Sequence, residues 1–229
     1  MVSMIVARVN EHSIVEEMAA GSSVPVINAL SSLYHPLQAL ADLLTIQENY
    51  PQGIKGLKVA WVGDATNVLY DLAIAAVKVG IHIAAATPAK YPFNDDVLKV
   101  VKDHAQDGAT IYLTRDPLVA IKDADVIVTD TWYNTHNVKL TVRISMGHEA
   151  EKAQRLKDFA GYQITNKMVA KGGAKKDWKF MHCLPRKHEE VSDEVSPPHW
   201  ARLTLPKVFY SERSLVFPEA ENRKWTVLA

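Results

Sequence analysis

Several short stretches of this chain hold residue types able to polarise a carbonyl, grip an anion or receive an amine. In His35-Pro36-Leu37-Gln38 an imidazole and a carboxamide stand at the mouth of a helix that Pro36 is suited to open. Helix N-termini expose free N–H groups and a positive partial charge, which suits an oxyanion or a phosphate. A His and a Gln three residues apart share a helix face and can both reach one carbonyl oxygen. The alternative is a capping His with a solvated Gln. Asn67, in Gly63-Asp64-Ala65-Thr66-Asn67, can hydrogen-bond a small polar ligand or serve as a helix N-cap. Asp130-Thr131-Trp132 places a carboxylate where it could receive a cationic amine, or where it could simply form a turn. His182-Cys183-Leu184-Pro185-Arg186 sets the only cysteine beside a histidine. Neighbours on a strand point to opposite faces, which argues against a nucleophilic Cys–His pair. The thiol is expected to be a ligand contact, or else a buried structural cysteine.

The elements that position these residues follow from the apolar pattern. Leu57–Gly63, Ile81–Ala86, Thr110–Leu113, Asp125–Thr129 and Lys179–His182 read as short buried strands. Between them, helices are expected over Asn67–Val79, from an Asn94 cap to about Gln106, over Asp116–Lys122 and over Glu149–Phe159. Strands alternating with helices imply an α/β fold, a doubly wound parallel sheet covered on both faces, with ligands beyond the carboxyl ends of its strands. Before residue 50 the pattern gives a helix over Arg8–Ala20, an extended Val24–Ile27 and a helix over Pro36–Tyr50. That segment carries too few apolar anchors to form a domain alone.

Composition excludes several function classes. The 229 residues include 26 Lys and Arg against 26 Asp and Glu, so no basic excess points to nucleic acid or a membrane surface. One cysteine permits no intramolecular disulfide framework and fits a reducing compartment. No apolar run is long enough to span a bilayer, and Met1 to Arg8 lack the layout of a signal or transit peptide. Gly63 alone cannot make a dinucleotide fingerprint, and neither H-E-x-x-H nor paired cysteines occur, so neither NAD nor a metal is expected.

Taken together and in order, His35-Pro36-Leu37-Gln38, Asp130-Thr131-Trp132, Ser145-Met146-Gly147, His182-Cys183-Leu184-Pro185 and Glu221-Asn222-Arg223-Lys224-Trp225 resemble the ornithine carbamoyltransferases. Phe217 to Arg223 is very similar to eukaryotic members. The resemblance implies transfer of a carbamoyl group from carbamoyl phosphate to the δ-amine of ornithine, giving citrulline and phosphate without metal or organic cofactor. It implies that Arg8, His35, Gln38 and Arg223 bind carbamoyl phosphate, with His35 and Gln38 stabilising the oxyanion. Asn67, Asp130, Ser145, Met146, Cys183 and Leu184 match positions that hold ornithine, and Cys183, Asp130, His35 and Arg223 are the implied catalytic set. Aspartate carbamoyltransferases resemble the same fold but carry Pro where Cys183 stands, so Cys183 and Ser145-Met146-Gly147 favour ornithine.

The resemblance also sets expectations for organisation. Residues 1–34 match a remnant of the carbamoyl-phosphate domain, 35–50 a connecting helix, 51–217 the ornithine-binding domain, and 218–229 the start of a return helix cut short. No Ser-x-Arg-Thr phosphate loop occurs in the sequence, so the chain by itself is expected to form little citrulline. The alternative is an incompetent fragment that retains only ornithine binding. Residues 133–143 and 196–208 interrupt family motifs and are read as residues foreign to the mature enzyme; the alternative is a specialised substrate loop, since the first falls inside the loop that matches the ornithine-binding one. The family forms homotrimers largely through the other domain, so a trimer is not expected here. Eukaryotic members work in the mitochondrial matrix, which gives the expected compartment.

Overall fold

A computed structural model describes residues 2–132, 154–185 and 208–228. Its elements run β1 (Ile5–Arg8), α1 (His12–Gly21), β2 (Val26–Leu30), α2 (Pro36–Asn49), β3 (Lys58–Val62), α3 (Asn67–Lys78), β4 (His82–Ala86), α4 (Asp95–Asp103), β5 (Ile111–Thr114), α5 (Pro117–Ile121) and β6 (Val126–Thr129). Then come a helical stretch over 154–158 (α6), α7 (Asn166–Gly172), β7 (Lys179–His182), a 3-10 turn over Val208–Tyr210, and α8 (Val216–Leu228).

Five strands form one wholly parallel sheet in the order β5-β4-β3-β6-β7. The chain leaves central β3 outward to β4 and β5, then returns to the other side of β3 with β6 and β7. The reversal opens a crevice at the carboxyl ends of β3 and β6, where ligands of such sheets sit.

Side chains on each strand alternate between two cores. Val59, Trp61, Ile83, Ala85, Val126, Val128 and Met181 pack with α3 and α4 on one face. Ala60, Val62, Ala84, Ala86, Ile127 and Phe180 pack with α5 and α7 on the other. The period of two within continuous apolar runs is what a strand buried on both faces requires. Gly63 ends β3 at φ 153°, and a Cβ there would lie 3.1 Å from Thr129 Oγ1, so glycine lets β3 and β6 stay close at the crevice.

The expectations for β3, β4, β6 and β7 match the observed strands to within a residue or two. Asn94 caps α4 as expected, accepting from Val97 N at 3.0 Å. Near the N-terminus the reading is corrected. The helix expected from Arg8 begins only at His12, and Ile5–Arg8 is a strand. That strand pairs in parallel with β2, an association local propensity does not reveal. Helix α7 was not anticipated, although Thr165 caps it by accepting from Met168 N at 2.9 Å and Gly173 closes it in the left-handed conformation. Only 154–159 of the expected helix Glu149–Phe159 fall within the described residues. Of the stretches read as insertions, 133–143 lies outside them, and of 196–208 only Val208 lies within, fully buried beside Phe209.

Two long helices frame the crevice. Helix α2 is pinned to the foot of the sheet by Tyr50 Oη, which donates to Asp125 O at 2.9 Å. Helix α8 lies along α2: Asn222 Nδ2 donates to Thr45 Oγ1 at 3.0 Å and Glu48 Oε2 at 2.8 Å, and Thr226 Oγ1 donates to Leu37 O at 3.0 Å.

Candidate functional site

The crevice gathers residues from four places: the ends of β6 and β7, the first turns of α2, and the body of α8. Asp130 follows β6 and Cys183 follows β7, both buried. The Cys183 thiol donates to Asp130 Oδ1 at 3.2 Å, and the same oxygen accepts from Thr131 N at 2.6 Å. Thr131 Oγ1 donates to Pro185 O at 2.6 Å, which ties the two strand ends together. Burial first, then the nearby Asp130 and Glu219, pushes the Cys183 thiol well above its ordinary range. A thiol held in that state is a hydrogen-bond donor and not a nucleophile.

The backbone around Cys183 is sharply shaped. Leu184 has φ 54° and the Leu184–Pro185 bond is cis. Leu184 N donates to His182 Nδ1 at 2.9 Å, closing a tight turn. Because Cys183 has already left the strand, the strict alternation of faces no longer applies to it. One ligand atom each from Asp130, His182 and Cys183 lies within 4.8 Å of the others. That spacing could hold a metal, but the raised thiol already donates to Asp130, and His182 Nδ1 already accepts from Leu184 N. The cluster is hydrogen-bonded as it stands.

At the other wall, His35 is the N-cap residue of α2, and its backbone N–H donates to the Asp71 carboxylate. Its Nδ1 is buried and has no hydrogen-bond partner among the described residues. Burial, then the positive charges of Arg8 and Arg223, lowers the ring to about 4. It is therefore neutral near pH 7 and can offer a hydrogen bond without adding charge. The cations come from elsewhere: exposed Arg8 ends β1, and half-exposed Arg223 lies on α8. Both are near enough to act on His35 electrostatically. Two cations around a neutral imidazole can seat a doubly charged phosphate group.

Gln38 departs from the alternative of a solvated side chain, because it is wholly buried. Its Nε2 donates to Asp42 Oδ1 at 2.7 Å and to Glu219 Oε1 at 3.0 Å. An amide between two carboxyl groups must present its NH2 to them. That leaves Oε1 as the end without a partner, buried. The end of this amide left open to a ligand is thus an acceptor, suited to an N–H donor and not to an oxyanion.

Asn67 is the first residue of α3, and Thr66 is the N-cap. The Asn67 amide is engaged within the chain: Nδ2 donates to Ser31 O at 2.7 Å, and Oδ1 accepts from Val68 N at 3.0 Å. It joins the small sheet to the large one at the edge of the crevice. Leu184 is half-buried on the turn beside Cys183. Ser145 and Met146 lie outside the described residues.

Three further groups shape the site without having been singled out from sequence. Arg155 on α6 donates through Nη1 to Asp64 Oδ2 and to Trp132 O, both at 2.7 Å, and its guanidinium lies 4.7 Å from the Tyr91 ring centre. It locks the ends of β3 and β6. Asp42 on α2 and Glu219 on α8 form a buried acidic pair beneath Gln38. The i,i+4 spacing of Gln38 and Asp42 was available as a signal for one half of that pair.

The family description "Aspartate/ornithine carbamoyltransferase, Asp/Orn binding domain" matches residues 55–229, and "Aspartate/ornithine carbamoyltransferase, carbamoyl-P binding domain" matches residues 1–48. The mitochondrial ornithine carbamoyltransferase of Schizosaccharomyces pombe is 54% identical over 230 residues, covering 100% of this chain and 62% of that relative. That of Coccidioides immitis is 49% identical over 244 residues, covering 100% of this chain and 63% of the relative. The crystal structure of a mitochondrial ornithine carbamoyltransferase from Coccidioides immitis aligns with a TM-score of 0.81 at 49% identity, over 100% of this chain and 65% of that one. The chain thus spans about three fifths of the length of the curated relatives it matches. With the two-part family pattern running along it and the same parallel α/β architecture in its solved neighbours, the chain belongs to the aspartate/ornithine carbamoyltransferase family.

Proposed function

We propose that the crevice serves carbamoyl transfer from carbamoyl phosphate to the δ-amine of ornithine, giving citrulline and phosphate. The observation that carries this reading is the Cys183–Asp130 pair at the ends of adjacent strands, facing the His35–Arg223 wall. A carboxylate beside a protonated thiol attracts the δ-ammonium group, and the sulfur, whose proton is given to Asp130, can accept an amine N–H and orient the nitrogen without taking its proton. The amine must arrive at the carbonyl carbon as a neutral nucleophile.

In this reading Arg8 and Arg223 hold the phosphate oxygens, and neutral His35 donates to the carbonyl oxygen as it becomes an oxyanion. Gln38 Oε1 accepts from the carbamoyl NH2. The ammonium first gives one proton to solvent; the freed lone pair then forms the new C–N bond, the C–O bond to phosphate breaks, and phosphate departs with the second proton released by the nitrogen. No covalent enzyme intermediate is needed; the rate comes from holding two small reactants in line. Asn67, Ser145, Met146 and Leu184 complete the ornithine seat in the same proposal, and a mitochondrial location follows the names of the relatives.

Calorimetry with ornithine and a citrulline assay with both substrates test the reading. The expected result is an ornithine heat that Asp130→Asn abolishes. No heat with ornithine and no citrulline with both substrates would overturn it. Heat without citrulline would reduce the chain to an ornithine-binding module.

A further inference from the structure

The acidic pair beneath the crevice has no place in the proposed chemistry, yet its geometry is demanding. Asp42 and Glu219 are each 1% exposed and lie within hydrogen-bonding reach of one another. Gln38 Nε2 donates to one oxygen of each, at 2.7 and 3.0 Å. The remaining Glu219 oxygen accepts the His182 backbone N–H at 2.9 Å. Asp42 Oδ2 is buried with no donor among the described residues.

Counting donors against charges decides the protonation state. Two adjacent buried carboxylates would carry two negative charges, and only amide N–H groups reach them. The charged groups facing the pair are Arg223 from α8, Asp130 from the end of β6 and the Cys183 thiol from the end of β7. Arg223 favours ionisation, whereas Asp130 opposes it for Asp42. The His182 ring, on the same strand end, is occupied with Leu184 N. Among the described residues, one cation against three acidic groups leaves an excess of negative charge out of water, and like carboxyl groups in contact resolve that by keeping a proton. A proton on Asp42 Oδ2 would also give the orphaned oxygen a partner.

We propose that Asp42 and Glu219 share one proton and act as a positioning pair: the single remaining negative charge, gripped by Gln38 and by the His182 N–H, fixes the turn that carries Cys183 and Leu184. The pair also sets the tilt of Gln38, so one proton orients groups on both walls of the crevice. Burial, the dominant influence on both groups, acts in the same direction, raising Asp42 to about 7 and Glu219 well above its usual range. The existence of the shared proton stands apart from the proposed reaction; only the consequence for Cys183 and Gln38 rests on that reading.

The test is a pH titration of the full chain, carboxyl-labelled with carbon-13 at Asp and Glu and with nitrogen-15 in the backbone. The expected result is one carboxyl signal that stays protonated until about pH 7, with the His182 amide shifting at the same midpoint. Glu219→Gln should flatten the His182 titration while leaving the amide folded in place. Should that variant fail to fold, Asp42→Asn must flatten it likewise. Two carboxyl groups that both ionise in the ordinary range near 4, or a His182 amide that ignores the carboxyl midpoint, would overturn the proposal. Loss of ornithine binding with the titration intact would count against the proposed function alone.

Discussion

Asp42→Asn is expected to change how stability depends on pH more than it changes stability itself. In the folded chain burial raises the Asp42 carboxyl from 3.8 to about 7. Across that interval the folded state holds a proton that the unfolded state has released, so stability falls as pH rises. At about 1.4 kcal/mol per pH unit, the fall reaches about 4 kcal/mol and ends once the folded state also loses the proton. Asp71, raised to about 6 by burial, adds a fall of the same sign over a shorter range. His35, lowered to about 4, opposes both: between that value and 6.5 the unfolded state holds the proton, so its contribution makes stability rise with pH. Comparing the variant with the wild type cancels Asp71 and His35 and isolates the acidic pair. The introduced amide has the shape of a protonated Asp42 and can donate to Glu219 as the shared proton would. Urea unfolding at pH values from about 4 to about 8 should therefore show the variant gaining on the wild type as pH rises, by up to about 4 kcal/mol. A stability difference that stays constant with pH would refute the reasoning, whatever its size.

Two other perturbations probe the site and the scaffold that carries it. Cys183, the only cysteine, should react with a soluble thiol reagent at pH 8 at a small fraction of the rate seen in urea, because the thiol is buried and pushed up beside Asp130; complete and rapid modification of the native chain would contradict that environment. Gly172→Ala should cost about 1–3 kcal/mol, since an added Cβ would lie 2.8 Å from Ile121 Cγ2 and 3.1 Å from Ile121 Cβ, atoms too near the backbone to move aside cheaply; an unchanged urea midpoint would show that α5 and α7 slide apart freely.

The sheet was legible because its signal is local. Val59-Ala60-Trp61-Val62 and Val126-Ile127-Val128 are apolar without interruption, and a glycine or an aspartate stops each run at the place where the crevice opens. Asp130 could be named from such a stop and Cys183 from the end of Lys179–His182, but their 3.2 Å contact could not, because it depends on β6 and β7 being neighbours although the chain between them is long. Strand β1 was hidden for a similar reason: Ile5-Val6-Ala7-Arg8 becomes a strand only by pairing with Val26–Leu30. Asn67 was weighed as a cap from its place in the turn, yet its amide is held by the Ser31 carbonyl, 36 positions away.

Gln38 shows where sequence reasoning stops. Its type and its distance from His35 pointed to a group that stabilises an oxyanion, and its exposure could be guessed either way. What decides its chemistry is Glu219, 181 positions later, which with Asp42 takes both of its N–H donors and leaves only the carbonyl oxygen for a ligand. A donor became an acceptor through a long-range contact that no local pattern encodes. The same Glu219 accepts from His182, so the helix that closes the crevice also sets the turn on its far side. A substitution at Glu219 should therefore be felt at Cys183 and at Gln38 together, and effects at the two walls should not be separable in a double-mutant cycle.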